Sequence, residues 1–464
     1  MFKFLSKHLR EINESYFTHM RHALYFSAVS FFSSIALLIH SFFPFIFITT
    51  GSNNLKKLYN IMSLRVKILK QNCANIRRVA IVGFGASGII SFYNLVKKHE
   101  GENLLEIEIF DRNIGINKGM AYATKNINHL LNVRAKNMSA LQDEPEHFVN
   151  WLKKNGYEFG AQDFAPRAIY NIYLDDIIAR AFAIADSKKI SYKFIHHDVE
   201  KIAREKDYFI IENEAYNYCL LCVGGEMINL EKNFWHINFQ KYLPNKEIHI
   251  LGSGLTALDA VTSFVDAGYD GKIFLHSRST RLPQENLVHK IHDAKAPLSL
   301  EDCALPMSEI FKKFTSSCKN STDWRAVFDA MRATSSQFWQ GLSVDKKRRF
   351  LRHCLRLWNV HRHRAPSKQY QKIQDLIASG KVILTKEKIV GDFIDCRGFD
   401  FARKSPLIAN LIENKIAVFD EVNLGISALD KKFIIIGANN FGNLFETTAV
   451  PELRKQGFEV EINC

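Results

Sequence analysis

Eight cysteines are scattered over 464 residues, at Cys73, Cys219, Cys222, Cys303, Cys318, Cys354, Cys396 and Cys464, with no paired metal-ligand spacing. That usage excludes a disulfide scaffold, offers no metal site, and suits a reducing compartment. No Ser-His-Asp, Cys-His or paired-carboxylate arrangement stands out, so the catalytic residues stay unknown at this level. There is no helix-turn-helix or finger spacing, and no Lys/Arg run interleaved with aromatics. Nucleic acid is therefore not the expected partner. The formal charge of +14 and pI near 9.2 then call for another anion, a phosphate-bearing ligand or a lipid surface.

A second absence is local. Ala23 to Ile48 contains no Asp, Glu, Lys or Arg and is crowded with Phe, Ile, Leu, Ser and Ala. Such a length can cross a hydrocarbon core of about 30 Å. The leader, residues 1–75, is thus read as carrying a membrane helix over 23–48, with Pro44 tolerated near its end. A cleaved signal peptide fits less well, because the charged region before the run is long and no small-x-small site follows. Basic residues are denser after the run (Lys56, Lys57, Arg65, Lys67, Lys70, Arg77, Arg78) than before it (Lys3, Lys7, Arg10, Arg21). The positive-inside rule then leaves the main body on the cytoplasmic face. The other reading takes Met62 as the true start and makes the first 61 residues an extended frame, with a cytoplasmic protein behind it.

The chain is organised around Val79 to Gly88, Val-Ala-Ile-Val-Gly-Phe-Gly-Ala-Ser-Gly. A short apolar strand runs into Gly83, Gly85 and Gly88 at G-x-G-x-x-G spacing. The first glycine permits the turn, the second admits a pyrophosphate to the backbone, and the third lets the next helix pack on the strand. That helix is predicted from Ala86 to about Lys97, so the amides of Ala86 and Ser87 face the phosphates. Leu104 to Phe110 reads as the next parallel strand, and it ends on Asp111, near the spacing of about 20 residues that the fingerprint expects for a ribose-binding acid. An acid there repels a 2′-phosphate, so this site suits FAD or NAD.

Further on come Gly115-Ile-Asn-Lys-Gly-Met-Ala-Tyr122, His129-Leu-Leu-Asn132, Arg167-Ala-Ile-Tyr-Asn-Ile-Tyr-Leu174, Trp358-Asn-Val-His-Arg-His-Arg-Ala-Pro366 and Glu446-Thr-Thr-Ala-Val-Pro-Glu-Leu-Arg454. With these the sequence, from about Val79 to Gln456, resembles the bacterial FAD-NAD(P)-binding flavoproteins, which are related to N-hydroxylating and other class B flavin monooxygenases. Gly119, Ala121 and Tyr122 match the family's G-x-G-x-A-Y segment, while Asn117 stands where its first glycine would be. The resemblance implies two dinucleotide domains, a flavin contact from Asn132, and a strand-glycine junction at Gly437 beside the flavin. The usual acid after that glycine is replaced by Ala438-Asn439-Asn440.

The residues themselves agree on a second site. Glu247-Ile-His-Ile-Leu-Gly252-Ser-Gly254-Leu255-Thr256-Ala257 is again strand, then G-x-G-x-x-A, with alanine still allowing close helix packing. Its second strand, Lys272 to His276, is followed by Ser277-Arg278 where the first site has Asp111. A guanidinium in that place accommodates a 2′-phosphate, so NADPH is expected over NADH, with Arg281 as a second cation. The bland reading makes Arg278 an exposed strand-end charge. Cys219 and Cys222 spell C-x-x-C, but in a strand they would point to opposite faces and act as buried structural thiols. The His361-Arg362-His363-Arg364 cluster lacks a shared helical face for metal binding. It is read either as contacting phosphate or carboxylate or as solvated surface charge.

The expected architecture is α/β, with two Rossmann-like dinucleotide-binding domains, the second inserted in the first. Residues 76–235 and 381–464 would form the FAD domain, and 236–380 the NADPH domain, with a helical insertion at 298–366. The expected activity is an FAD-dependent, NADPH-using oxidoreductase, first a monooxygenase of a small molecule. Two alternatives stand: a membrane-associated dehydrogenase or quinone-type reductase, and a flavin-binding sensor without turnover.

Overall fold

The computed structural model describes residues 15–462 apart from 74, 102–103, 114–118, 289–294 and 401–404. Lys3, Lys7 and Arg10, the Gly115 to Lys118 part of the loop with Asn117, and Cys464 therefore lie outside the described residues.

The leader folds as a helical hairpin. Helix α1 (Tyr16–Phe42) is capped by Ser15, whose Oγ accepts from the Thr18 amide at 3.3 Å. It ends at Phe43, so Pro44 lies in the turn and the chain folds back as α2 (Thr50–Cys73). The membrane helix expected over 23–48 is corrected accordingly. It starts earlier and stops before Pro44, which lacks the N–H that a continuing helix needs. Helix α1 packs along α2, with Leu58 and Leu64 buried. Most of its large apolar side chains, including Phe17, Phe31, Phe32 and Phe42, are exposed.

The first domain is a parallel sheet built on β1 (Ile76–Val82). Alternate residues serve opposite faces, Val79 and Ile81 in one core and Ala80 and Val82 in the other, as a strand buried on both sides requires. The turn after β1 leads into α3 (Ala86–Lys98), then β2 (Leu104–Asp111), which pairs parallel with β1. Helix α4 (Arg167–Ser187) returns the chain to β3 (Ser191–His196), an edge strand parallel to β2. Tyr192 belongs to this sheet. The antiparallel meander is confined to Ala203–Glu205, Tyr208–Ile211 and Glu214–Tyr216. Strand β4 (Tyr218–Leu221) lies on the other side of β1. It carries Cys219 into one core and leads Cys222 into the other.

The second domain repeats the pattern. Strand β5 (Glu247–Leu251) runs through a glycine turn into α5 (Leu255–Asp266) and on to the parallel β6 (Lys272–His276). Five helices follow: α6 (Met307–Asn320), α7 (Trp324–Met331), α8 (Ser335–Gly341), α9 (Val344–His353) and α10 (Leu355–Arg362). They enclose a core of their own with Phe445. After α11 (Ser367–Ala378) come β7 (Val382–Thr385) and β8 (Ile394–Asp395), which complete a sheet of order β7-β6-β5-β8. The boundary expected at 380/381 is thus displaced, because both strands hydrogen-bond within the second sheet. Strand β9 (Phe433–Ile435) returns to the first, whose order is β9-β4-β1-β2-β3. The last helix, α12 (Val450–Phe458), carries Pro451 in its first turn.

Candidate functional site

The first glycine turn sits at the carboxyl edge of its sheet. Gly83 adopts φ +93°, and a Cβ there would lie 2.9 Å from the carbonyl of Cys222, so both backbone angle and space require glycine. A Cβ on Gly88 would meet the carbonyl oxygen of Gly83 at 2.2 Å. Gly85 is the N-cap of α3 with no side-chain cap, which leaves the first amides of the helix, those of Ala86, Ser87 and Gly88, for an anion. The Ser87 hydroxyl is committed elsewhere, donating to the Cys222 carbonyl at 2.9 Å.

Asp111 ends β2 beside this turn, and it does more than the sequence suggested. Its Oδ2 accepts from the Phe84 amide at 2.8 Å, which ties the turn to β2. Its Oδ1 accepts from both the backbone and the side chain of Asn113 at 2.8 Å. Lone-pair capacity remains on Oδ2 for a sugar hydroxyl, less than the two-hydroxyl role first read.

Two other segments reach the turn. A Cβ on Gly119 (φ +81°) would come within 3.3 Å of the Gly85 Cα, and one on Gly437 (φ +91°) within 3.8 Å of the Ser87 Cβ. Three segments thus converge through glycines at positive φ, and a dinucleotide needs such close approach. Gln456 links Gly437 to Thr447, accepting from the Gly437 amide at 3.0 Å and donating to the Thr447 carbonyl at 3.2 Å. The buried Thr447 hydroxyl has no partner, and such an orphan is costly unless a ligand meets it. These residues fit a flavin dinucleotide. Asn132 is half-buried. Asn439 and Asn440, which stand where the family has an acid, donate to the backbone oxygens of Val223 and Ile435, each at 3.2 Å.

The second turn is built on the same plan. Gly252 has φ +126°, and a Cβ there would lie 2.9 Å from the Cys396 carbonyl oxygen, as Gly83 stands to Cys222. The hydrogen bonds repeat as well. Gly83 N donates to Phe110 O at 2.8 Å and Gly252 N to His276 O at 2.9 Å, while the amides of Cys222 and Cys396 donate to Val82 and Leu251. Gly254, the uncapped N-cap of α5, has open space around it, and Leu255 and Thr256 form the first helical turn. Arg278 is exposed just past β6 and makes no ion pair among the described residues; Arg281 is exposed too. A free guanidinium beside an open helix N-terminus fits a phosphorylated nicotinamide dinucleotide.

A polar seam fixes the two domains to each other, and sequence reasoning did not find it. Arg167, first residue of α4, pairs with Asp259 of α5 at 2.8 Å, and Asp259 also accepts from Gln369 at 2.9 Å. His129 bridges Thr124 (2.7 Å) and Ser263 of α5 (2.8 Å), and burial pushes its basicity down. Asn126 and Asn128 both donate to Asp266. The His129 and Arg167 motifs thus hold the domains in register. Their partners lie over 90 residues away in sequence, which hid the pairing.

The 361–364 cluster is not solvated surface charge. Arg362 is 8% exposed and grips Glu446 with two bonds of 3.0 and 2.7 Å, and Arg364 is 3% exposed and paired with Asp329. Neither is a metal ligand, and no cluster of metal-ligating side chains occurs among the described residues. The Cys219 and Cys222 thiols are buried and driven well up, Cys222 to about 12, which makes them inert.

Residues 80–225 match the FAD-NAD(P)-binding family model, and residues 2–65 match a family of unknown function (DUF6356). Family model and fold together define the class: a protein with two dinucleotide-binding folds, the first of them matching an FAD-NAD(P)-binding family. No curated protein matches the chain. Among solved structures it is similar to ornithine hydroxylase (PvdA) from Pseudomonas aeruginosa, at TM-score 0.50 and 12% identity over 83% of this chain and 97% of that one. The reduced form of the same protein gives 0.51 and 13% over the same shares. Ornithine N-hydroxylase from Kutzneria sp. 744 gives 0.49 and 13%, over 82% and 97%. At these identities the likeness speaks to the fold.

Proposed function

We propose that the protein is a small-molecule monooxygenase that binds FAD at the first turn and NADPH at the second. The observation that carries this is the duplicated turn, with Asp111 at the ribose position of one copy and Arg278 at that of the other. Gly83, Gly85, Ala86, Ser87, Gly88 and Asp111 would hold the adenine half of FAD, with Asn132 and Gly437 toward the flavin end. Gly252, Gly254, Leu255, Thr256 and Arg278 would hold NADPH. FAD held there would supply the redox chemistry, hydride acceptance and oxygen activation. The chain's own part is to bind two diphosphates on helix N-termini, to select the 2′-phosphate through Arg278, and to keep the domains in register through Arg167 and Asp259. The neighbours named as ornithine hydroxylases support the reaction type without fixing the substrate.

The test is an anaerobic stopped-flow titration of the flavin-loaded full chain with NADPH and then NADH. Fast bleaching by NADPH, and NADPH oxidation stimulated by an oxygen-accepting substrate, are expected. Bleaching that passes electrons to quinones with no oxygen insertion would favour the reductase reading, and no bleaching by either nucleotide would leave a flavin-binding sensor.

We also infer attachment to a membrane through α1, whose length, apolar composition and exposed apolar surface support it. The leader's family match begins at residue 2 and runs past Met62, which favours a translated segment over an extended frame.

A further inference from the structure

The helices of the insertion enclose a cavity of about 430 Å³, within the range of about 300–1,000 Å³ typical of small-molecule sites. Aromatic rings dominate its wall, among them Phe314, Trp324, Phe328, Trp339, Trp358 and Phe445. Lys319 is the one Lys, Arg, Asp or Glu on the wall, and its side chain is exposed. The hydroxyls of Thr315 and Ser335 are spent on the backbone oxygens of Phe311 (2.8 Å) and Arg332 (3.0 Å). Burial pushes the Cys318 thiol up to about 11 and raises Cys354 as well, so both are uncharged at neutral pH.

Two side-chain groups on this wall keep an unused valence, the buried Trp358 Nε1–H, which has no acceptor among the described residues, and His361. His361 lies 2.8 Å through Nδ1 from the Leu357 carbonyl, which can only accept, so Nδ1 carries the hydrogen. In the neutral ring Nε2 is then an acceptor. The ring is held by stacking on Phe328 (centroids 5.6 Å, 15°) and edge-on contact with Trp324 (5.0 Å). The position is tied to the segment that carries Thr447. His361 precedes Arg362, which grips Glu446, and Glu446 follows Phe445 on the segment leading to Thr447. Phe445 itself is held at φ +66°, ψ −51°, a strained conformation for an aromatic residue of the kind that concentrates at ligand sites. That backbone sets its ring on Trp339 at 4.7 Å.

We propose that this cavity is the substrate site, and that it takes an uncharged aromatic or alkyl molecule whose single polar group, a hydroxyl or N–H, donates to Nε2 of His361. The inference rests on the monooxygenase reading and narrows it to a substrate class. A charged amino acid would find no carboxylate in the wall and would be desolvated unpaired.

Binding, not turnover, is the readout. The flavin-loaded full chain is titrated with N-phenyl-1-naphthylamine, whose fluorescence rises in an apolar site, and the probe is displaced by 4-propylphenol, propylbenzene or L-ornithine. Both aromatics should displace it and ornithine should not. The phenol should bind about 2- to 10-fold tighter than propylbenzene, the worth of one neutral hydrogen bond. His361→Phe should erase that preference and leave propylbenzene unchanged, and Leu357→Trp should fill the cavity and abolish uptake. If Leu357→Trp does not fold, the His361→Phe comparison decides alone. No probe uptake, displacement by ornithine, or a phenol preference that survives His361→Phe overturns the proposal. Probe displacement without bleaching by NADPH would remove the monooxygenase and keep the pocket; bleaching with no probe uptake would do the reverse.

Discussion

His363 makes the stability of the helical insertion depend on pH in a window that few other groups share. The residue is half-buried overall with its ring enclosed, and burial first, then the neighbouring Arg362 guanidinium, push it down from 6.5 to about 4. Glu446 and Glu452 pull in the other direction, and Arg332 adds to the push. Because the folded value lies below the unfolded one, the unfolded chain binds more protons between pH 6.5 and 4, and stability must fall as pH drops through that interval. A shift of about 2.5 units at 1.36 kcal/mol each gives at most about 3 kcal/mol. Full stability is present above about pH 6.5, and the loss is complete below about pH 4. The assay is the urea midpoint between pH 7.5 and 4.5, followed by tryptophan fluorescence, since Trp324, Trp339 and Trp358 all report on the insertion. His363→Asn should flatten the profile over this range relative to the unmodified chain. Parallel profiles for the two proteins would refute the assignment.

Other outcomes follow from the same geometry. Glu446→Gln leaves the buried Arg362 charge with only Glu452, 4.0 Å away, and should cost about 3 kcal/mol, whereas Arg362→Met with Glu446→Leu should recover most of it; thermal melts of both variants against the unmodified chain decide. Gly83→Ala should yield colourless protein and Gly252→Ala a yellow protein that NADPH no longer bleaches, since each added Cβ meets a carbonyl at 2.9 Å; full flavin content in the first would remove that turn from the account. Arg278→Ala should weaken NADPH by about 10-fold or more and leave NADH unchanged, the loss of a charge-assisted contact; equal losses with both nucleotides would sink its role.

Local rules made some features legible and long-range pairing hid others. Gly83, Gly88 and Gly252 were readable because a glycine turn is set by its own backbone angles and by the strand before it. The paired β5 and β6 were readable for the same reason. That β7 and β8 close the second sheet was not, because 382–385 and 394–395 are short apolar runs that either sheet could accept. Burial of the 361–364 cluster was invisible because Glu446 and Asp329, which neutralise it, are 84 and 35 residues away. Composition shows charge but not its partner. Asp111 was found by spacing, while its bond to the Phe84 amide needed the folded turn.

The leader poses a sharper physical choice than its hydropathy alone. A helix of 27 residues is about 40 Å long at 1.5 Å per residue, enough to cross a hydrocarbon core of about 30 Å. Yet α1 packs along α2, which carries Lys56, Lys57, Arg65 and Lys67. Those charges cannot accompany it into hydrocarbon without large cost. The far end of α2 is fixed to the body by Lys67 on Glu214 (2.5 Å) and Gln71 on Asn217 (2.5 Å), at the amino edge of the first sheet. The first glycine turn lies at the opposite, carboxyl edge of that sheet, so an attached membrane would leave the first dinucleotide site facing away from it. A packed hairpin favours α1 lying in the interface with its Phe face down and the basic residues of α2 among headgroups. On this argument the full chain should float with anionic vesicles and be released by alkaline carbonate, and residues 62–464 should stay soluble with flavin intact. Resistance to carbonate would mean that α1 parts from α2 and spans the bilayer; failure to float would remove the membrane from the account.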